Sequence, residues 1–293
     1  MDFVVTIMEQ GLIYGILSIG VYITYKILDF PDLTVDGSFP LGAAVTAALL
    51  TRGGNPYLTL AVAFLAGAMA GICTGLIHVK GKVRDLLSGI IMMTALWSIN
   101  LYIAGTSNVP LFSQKTIFRN EIVTNFLPDI MKPYSTLIIA FLLAGICKIF
   151  LDLYLKTKSG YLLRAVGDNE SLVTSLAKDQ GNVKIFGLAL ANGFTALSGC
   201  IFAQEQRVFE ISMGTGAIVI GLASVIIGTS LFRKFTIMKA TTAVIAGSVI
   251  YKACVAVALK SFEPNAMKLI SAVLFLIILV LSMEKKGRME KHA

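Results

Sequence analysis

Residues 10–50 read QGLIYGILSIGVYITYKILDFPDLTVDGSFPLGAAVTAALL, an apolar run interrupted once, by Asp29, Pro31, Asp32, Asp36, Gly37 and Pro40. A spanning helix needs about 20 mostly apolar residues, so the run has length for two crossings. Proline and glycine break a helix and free backbone groups that hydrocarbon cannot satisfy. The interruption is therefore either a polar turn at a membrane face or a break that dips into the membrane, shielded by protein or beside a water-filled path. The apolar segment that follows, 38–51, is too short to cross comfortably, which favours the second form. Broken helices at membrane depth line substrate pathways in many transporters. Asp32, Thr34 and Asp36 stand at i, i+2 and i+4, so in an extended segment they share one face. With Asp29 and Gly37 they form the candidate translocation path.

The rest of the chain agrees with a membrane setting. Of 293 residues, 56% are hydrophobic and 14% charged, with a mean hydropathy of +0.80. An ordinary soluble domain is about 45–50% apolar and about 25% charged, so a soluble enzyme, a disordered tail and a secreted disulfide scaffold are excluded. Further apolar segments fall near 3–28, 57–77, 86–104, 135–155, 185–203, 214–231, 236–257 and 267–283. The expected fold is an all-α polytopic membrane protein, one domain over 1–293, with eight or nine transmembrane helices, some broken or re-entrant. Gly67, Gly71 and Gly75 form two overlapping GxxxG units, and Gly11 with Gly15 another, the pattern of helices packed closely either within one subunit or across a dimer interface.

Charge placement orients the chain. Fifteen of the 25 basic residues fall in three loops and a tail, at Lys80–Arg84, Lys156–Lys184, Arg233–Lys239 and Lys285–Lys291, against seven in the alternate loops. The richer set belongs in the cytoplasm, which puts the N-terminus outside and makes 105–133 an extracytoplasmic segment, expected as short surface or re-entrant helices. The same rule accounts for the net charge of +8 without nucleic acid. Cys73, Cys147, Cys200 and Cys254 sit singly in apolar stretches, and His78 and His292 lie far apart, so no metal or redox motif is present in the sequence. No Walker A, G-x-S-x-G or HExxH pattern occurs either. The chain carries no expected cofactor, is not read as an enzyme, and takes its energy from elsewhere.

The longest polar stretch on the cytoplasmic side is 156–184. Asp168 or Asn169 is a suitable N-cap for a short helix over 170–178, whose Leu172, Val173, Leu176 and Ala177 make one face apolar. Gly160 and Gly181 offer flexible ends. Such a helix either lies along the membrane interface or docks into a groove of a cytoplasmic partner.

These two stretches together carry a resemblance. GLIYGILSIGVYITYKILDFPDLTVDGSFPLGAAV, followed by TKSGYLLRAVGDNESLVTSLAKDQGNVKIFGLALANGFTALSGCIFAQEQ, resembles the permease subunits of ABC importers in the branched-chain amino acid and ribose permease superfamily. The DLTVDGSFPLGAAV version is similar to permeases that work with a substrate-binding lipoprotein. The resemblance implies a homodimeric or pseudo-dimeric permease in the bacterial inner membrane, with the homodimer favoured, two cytoplasmic ATPase subunits and an external binding protein, with an aromatic amino acid as the favoured substrate. It also implies that Gly160, Arg164, Gly167, Asp168, Asn169, Glu170, Leu172 and Leu176 belong to the element that couples to the ATPase. A self-sufficient secondary transporter or channel is the alternative. A weak internal echo, Gly11–Leu50 against Phe186–Leu231, suggests an inverted repeat. Glu9, Asn100, Asn192 and Lys252 are polar residues within apolar spans, and Lys148 with Asp152 forms an i, i+4 pair.

Overall fold

Each apolar segment marked out by the sequence overlaps a helix of the computed structural model, which describes residues 2–120, 129–168, 179–232, 238–259 and 267–290. The ten α-helices of these residues are α1 (Asp2–Tyr22), α2 (Val35–Thr51), α3 (Pro56–Val79), α4 (Asp85–Ala104), α5 (Ser135–Tyr154), α6 (Lys158–Asp168), α7 (Gln180–Gln206), α8 (Ala217–Leu231), α9 (Ala240–Leu259) and α10 (Met267–Glu290). Seven helical segments are long and apolar enough to cross a membrane, and Val35–Thr51 and Leu269–Val280 are shorter apolar helices.

Two helices form the centre. The apolar window of α7 is 78% buried and that of α1 67%, whereas α4 and α5 stand at 28% and 22% and turn most of their surface outward. In a bilayer the hydrophobic effect does not drive helices together, so close backbone packing over small residues does. A β-carbon at Gly67 would strike the Asn192 carbonyl, one at Gly71 the Leu188 carbonyl, and one at Gly75 would lie 2.9 Å from the Ile185 Cα. The double GxxxG of α3 thus seats that helix on α7 inside the same subunit. Gly11 meets Val249 and Gly15 meets Ser248, which seats α1 on α9 in the same way. Gly42 and Gly199 let α2 and α7 bring their backbones together at Ala196 and Phe39.

The expectation of helices throughout 105–133 is corrected. Asn108–Pro110 and Val208–Glu210 pair as an antiparallel two-stranded ladder, β1 and β2, with Val109 opposite Phe209. The pairing brings Leu111 and Phe209, both fully buried, over Leu50 at the end of α2. Asp129–Tyr134 forms a 3-10 turn leading into α5, and 121–128 lies outside the described residues. This end of the bundle also holds the start of α3, where Gln204 Nε2 donates to Thr59 Oγ1 at 2.8 Å. Lys80, Lys82, Arg84, Lys156, Lys158, Arg164, Lys184 and Lys239 lie toward the opposite end, as the positive-inside assignment requires.

Candidate functional site

The break begins before α1 has ended. Its last turn widens into a π turn, Ile23–Ile27, and the chain then reverses, with Asp29 in a left-handed conformation (φ 52°) on the exposed side. Phe30 packs edge-on against His78, ring centroids 5.1 Å apart. From there the chain climbs back into the protein. Asp32 is only 2% exposed, and both of its oxygens are occupied. Oδ1 accepts the Thr34 N–H at 2.9 Å, and Oδ2 accepts from Asn192 Nδ2 at 2.7 Å. Asn192 Oδ1 in turn accepts the Ser38 hydroxyl at 2.7 Å, while the Thr34 and Thr74 hydroxyls pair at 2.9 Å. Every member is buried, so this is a polar knot that fastens the break to α3 and α7.

The single face expected for Asp32, Thr34 and Asp36 does not form. Thr34 is already helical (φ −58°, ψ −24°) and α2 starts at Val35, so Asp36 turns to a different neighbour from Asp32. That neighbour is the start of α8. Its N-cap, Gly216, has φ 84° and no side chain to accept a hydrogen bond. A helix N-terminus presents backbone N–H groups with no partner in the helix, and inside a membrane protein they must be satisfied internally. Asp36 supplies the acceptors from another helix: Oδ2 takes the Gly216 N–H at 3.0 Å and Oδ1 the Ile218 N–H at 2.8 Å. Pro40 cannot donate to the Asp36 carbonyl four residues earlier. That carbonyl and the Pro40 ring lie against Gly214, where any β-carbon would strike both.

Two broken spans therefore meet head to head. α2 runs from this junction to the end carrying β1 and β2, and α8 runs from it to the end where Gly228 packs on Ala243 at the start of α9. The Gly11–Leu50 and Phe186–Leu231 segments repeat one motif, long helix, break and second helix, in opposite directions. Beside the junction lies a cavity of about 390 Å³, lined by Asp36, Gly37 and Pro40 of α2, Met93, Thr94, Trp97 and Asn100 of α4, and Thr215. Of the five residues expected to line a path, Asp36 and Gly37 reach it, Asp32 and Thr34 are in the buried knot, and Asp29 is at the exposed turn. Met93, Thr94, Trp97 and Thr215 drew no attention in the sequence. The signal was there in the single tryptophan of the chain, one turn from Asn100 on the same helix.

On the cytoplasmic side, a helix forms over Lys158–Asp168, earlier than the sequence places one. Gly160 lies within α6 and is no flexible end: a β-carbon there would strike the Tyr154 carbonyl, and one at Gly167 would strike the Ile27 carbonyl. Leu163 and Val166 are buried beneath it, while Tyr161, Arg164 and Asp168 face outward. Asn169, Glu170, Leu172 and Leu176 lie outside the described residues. Close by, Asp152 of α5 binds Lys148 and Lys239, each at 3.1 Å, and accepts the Thr241 hydroxyl at 2.6 Å, tying α5 to the start of α9. Lys252, 6% exposed, sits with its Nζ 3.7 Å from the centre of the Tyr14 ring.

Comparison with known proteins follows the same lines. Residues 3–281 match the model of the family described as branched-chain amino acid transport system, permease component. A tyrosine transport system permease protein of Clostridioides difficile is 45% identical over 280 residues, covering 95% of this chain and 91% of that one. A ribose import permease protein of Haemophilus influenzae is 25% identical over 228 residues, 78% of this chain and 68% of that one. Among solved structures, PsaBC from Streptococcus pneumoniae, in complex with Fab, shares the fold with a TM-score of 0.53 at 13% identity, covering 95% of this chain and 91% of that one. With seven membrane-length helices, the chain is a multi-pass protein of the cell membrane. It belongs to the ABC-type permeases of the branched-chain amino acid and ribose transport family, the transport components rather than the enzymes of their systems.

Proposed function

We propose that this chain is the membrane-spanning subunit of an ATP-driven importer, which receives tyrosine or a similar aromatic amino acid from an external binding protein and releases it into the cytoplasm. The observation that carries the reading is the junction of α2 and α8, two half-spans running in opposite directions from a capped break in the interior, with a cavity beside it. Transporters place substrate where such broken helices meet. The substrate class follows the tyrosine permease at 45% identity. Trp97 of α4, 48% exposed, stands on the open side of the cavity, and a second copy of the chain is the partner that closes it.

The motor docks at the other end. α6 is held under the π turn at the end of α1, so a push on the outward residues Tyr161, Arg164 and Asp168 passes through Gly167 to the break. Closure of an ATPase dimer against this helix tilts the spans and exposes the junction alternately to each side.

Affinity purification from mild detergent tests this. Wild-type permease brings down a cytoplasmic ATPase subunit. Gly167→Val presses a branched side chain on the Ile27 carbonyl, and overpacking of this kind costs about 1–3 kcal/mol. Retention of the ATPase then falls by about five- to 150-fold. A wild-type complex purified without any ATPase contradicts the proposed function.

A further inference from the structure

We infer that the cavity between α2, α4 and the start of α8 is a binding site for an amino acid in transit, with Asn100 and Asp36 receiving its α-ammonium group and Trp97 flanking its aromatic ring. The inference rests on the proposed function and adds the site and its chemistry.

Asn100 is the starting point. It is 1% exposed, and its Nδ2 donates to the Gly37 carbonyl at 3.0 Å. That bond fixes which end of the amide is which and leaves Oδ1 as a buried acceptor without a partner among the described residues. Buried polar atoms are almost always paired, so a buried acceptor on a residue that lines a cavity calls for a donor from outside. The nearest charge on the lining is of matching character. Asp36 accepts the Gly216 and Ile218 N–H groups, with Ala217 a third backbone donor to the same carboxylate, and the two oxygens together offer about four acceptor positions. Among the described residues, no Lys, Arg or His lines the cavity. An anion, such as a phosphate or a lone carboxylate, would have no cation to meet, whereas an ammonium group meets a carboxylate and an unpartnered carbonyl oxygen. The Thr215 hydroxyl can donate to the carboxylate of the same molecule, whereas the Thr94 hydroxyl already donates to the Ile91 carbonyl at 2.8 Å and offers only an acceptor.

The apolar remainder suits a ring. Met93, Trp97 and Asn100 stand at i, i+4 and i+7 on α4, so the indole lies on the cavity face between a flexible thioether and the orphan amide. Pro40 supplies the facing wall from α2. Aromatic pairs prefer offset or edge contacts that a cavity of this shape permits. Its volume of about 390 Å³ falls at the small end of ligand pockets, about 300–1,000 Å³.

Trp97 is also the reporter, because it is the only tryptophan in the chain. The full permease in nanodiscs is titrated with L-tyrosine, L-leucine and D-ribose while Trp97 emission is followed. The expected result is a saturable change with L-tyrosine, about tenfold weaker affinity for L-leucine and no response to D-ribose. Asn100→Leu weakens the tyrosine response by about tenfold or more. No response to L-tyrosine, or one that Asn100→Leu leaves unaltered, overturns the inference.

Asn100→Leu also removes the Gly37 hydrogen bond, so a second variant carries the test at a half-exposed position. Trp97→Ala, in the complete transporter with its ATPase and binding protein, lowers the tyrosine moved per ATP hydrolysed by about tenfold. Tyrosine transport with both variants at the wild-type ratio removes the site assignment alone. A wild-type complex that moves D-ribose and no amino acid removes the proposed function and the site together.

Discussion

Replacing Asn192 with Leu lowers the melting temperature of the detergent-solubilised permease by about 10 °C. Asn192 donates to Asp32 Oδ2 and accepts from Ser38, and all three are buried. A leucine strands the carboxylate of Asp32 and the Ser38 hydroxyl in the interior. Stranding a buried hydrogen-bond partner costs about 1–3 kcal/mol, more where the group is charged, and each kcal/mol is worth about 2–4 °C in a chain of this general size. The double variant Asp32→Leu with Asn192→Leu regains part of the loss, because the carboxylate goes with its partner while the Ser38 hydroxyl and the Thr34 N–H stay without their acceptors. A melting temperature unchanged in Asn192→Leu contradicts the assignment of this knot as the fastening of the break.

The second large effect is on transport. Asp36→Ala lowers uptake by about 150-fold or more while protein still reaches the membrane. The variant removes both acceptors from the N-terminus of α8, whose own cap Gly216 has nothing to offer. Hydrogen bonds to a charged group contribute about 1.5–3 kcal/mol each, and 1.4 kcal/mol is about tenfold. With those bonds gone, α2 and α8 no longer move as one unit at the break. Asp36→Asn keeps one acceptor oxygen and retains an intermediate rate. Uptake at the wild-type rate in Asp36→Ala removes the α2–α8 junction from the transport path.

What the sequence made legible follows from what local pattern can encode. Run length and hydropathy are local, so every apolar segment was placed, and the Pro and Gly residues of 29–40 announced the break. The small-residue spacing of Gly67, Gly71 and Gly75 likewise marked a face that the structure fills with α7. The bond between Asp36 and Gly216 spans 180 residues and leaves no trace in either neighbourhood. Gly216 looks like any glycine in a loop, and Asp36 like any first-turn acid. The helix over Lys158–Asp168 was missed because Gly160 and Gly167 are poor helix formers in isolation. Both are required there by carbonyls of other segments, which a local reading cannot weigh. The β1–β2 ladder, three residues on each strand, is too short for alternation to show.

The division of labour between this chain and its motor is the central claim, and reconstitution measures it directly. Proteoliposomes carrying the permease, its ATPase and its binding protein take up L-tyrosine only when ATP is supplied to the ATPase side, and omission of any one component abolishes uptake. Tyrosine accumulation by vesicles holding the permease alone, driven by a proton or sodium gradient, contradicts the account.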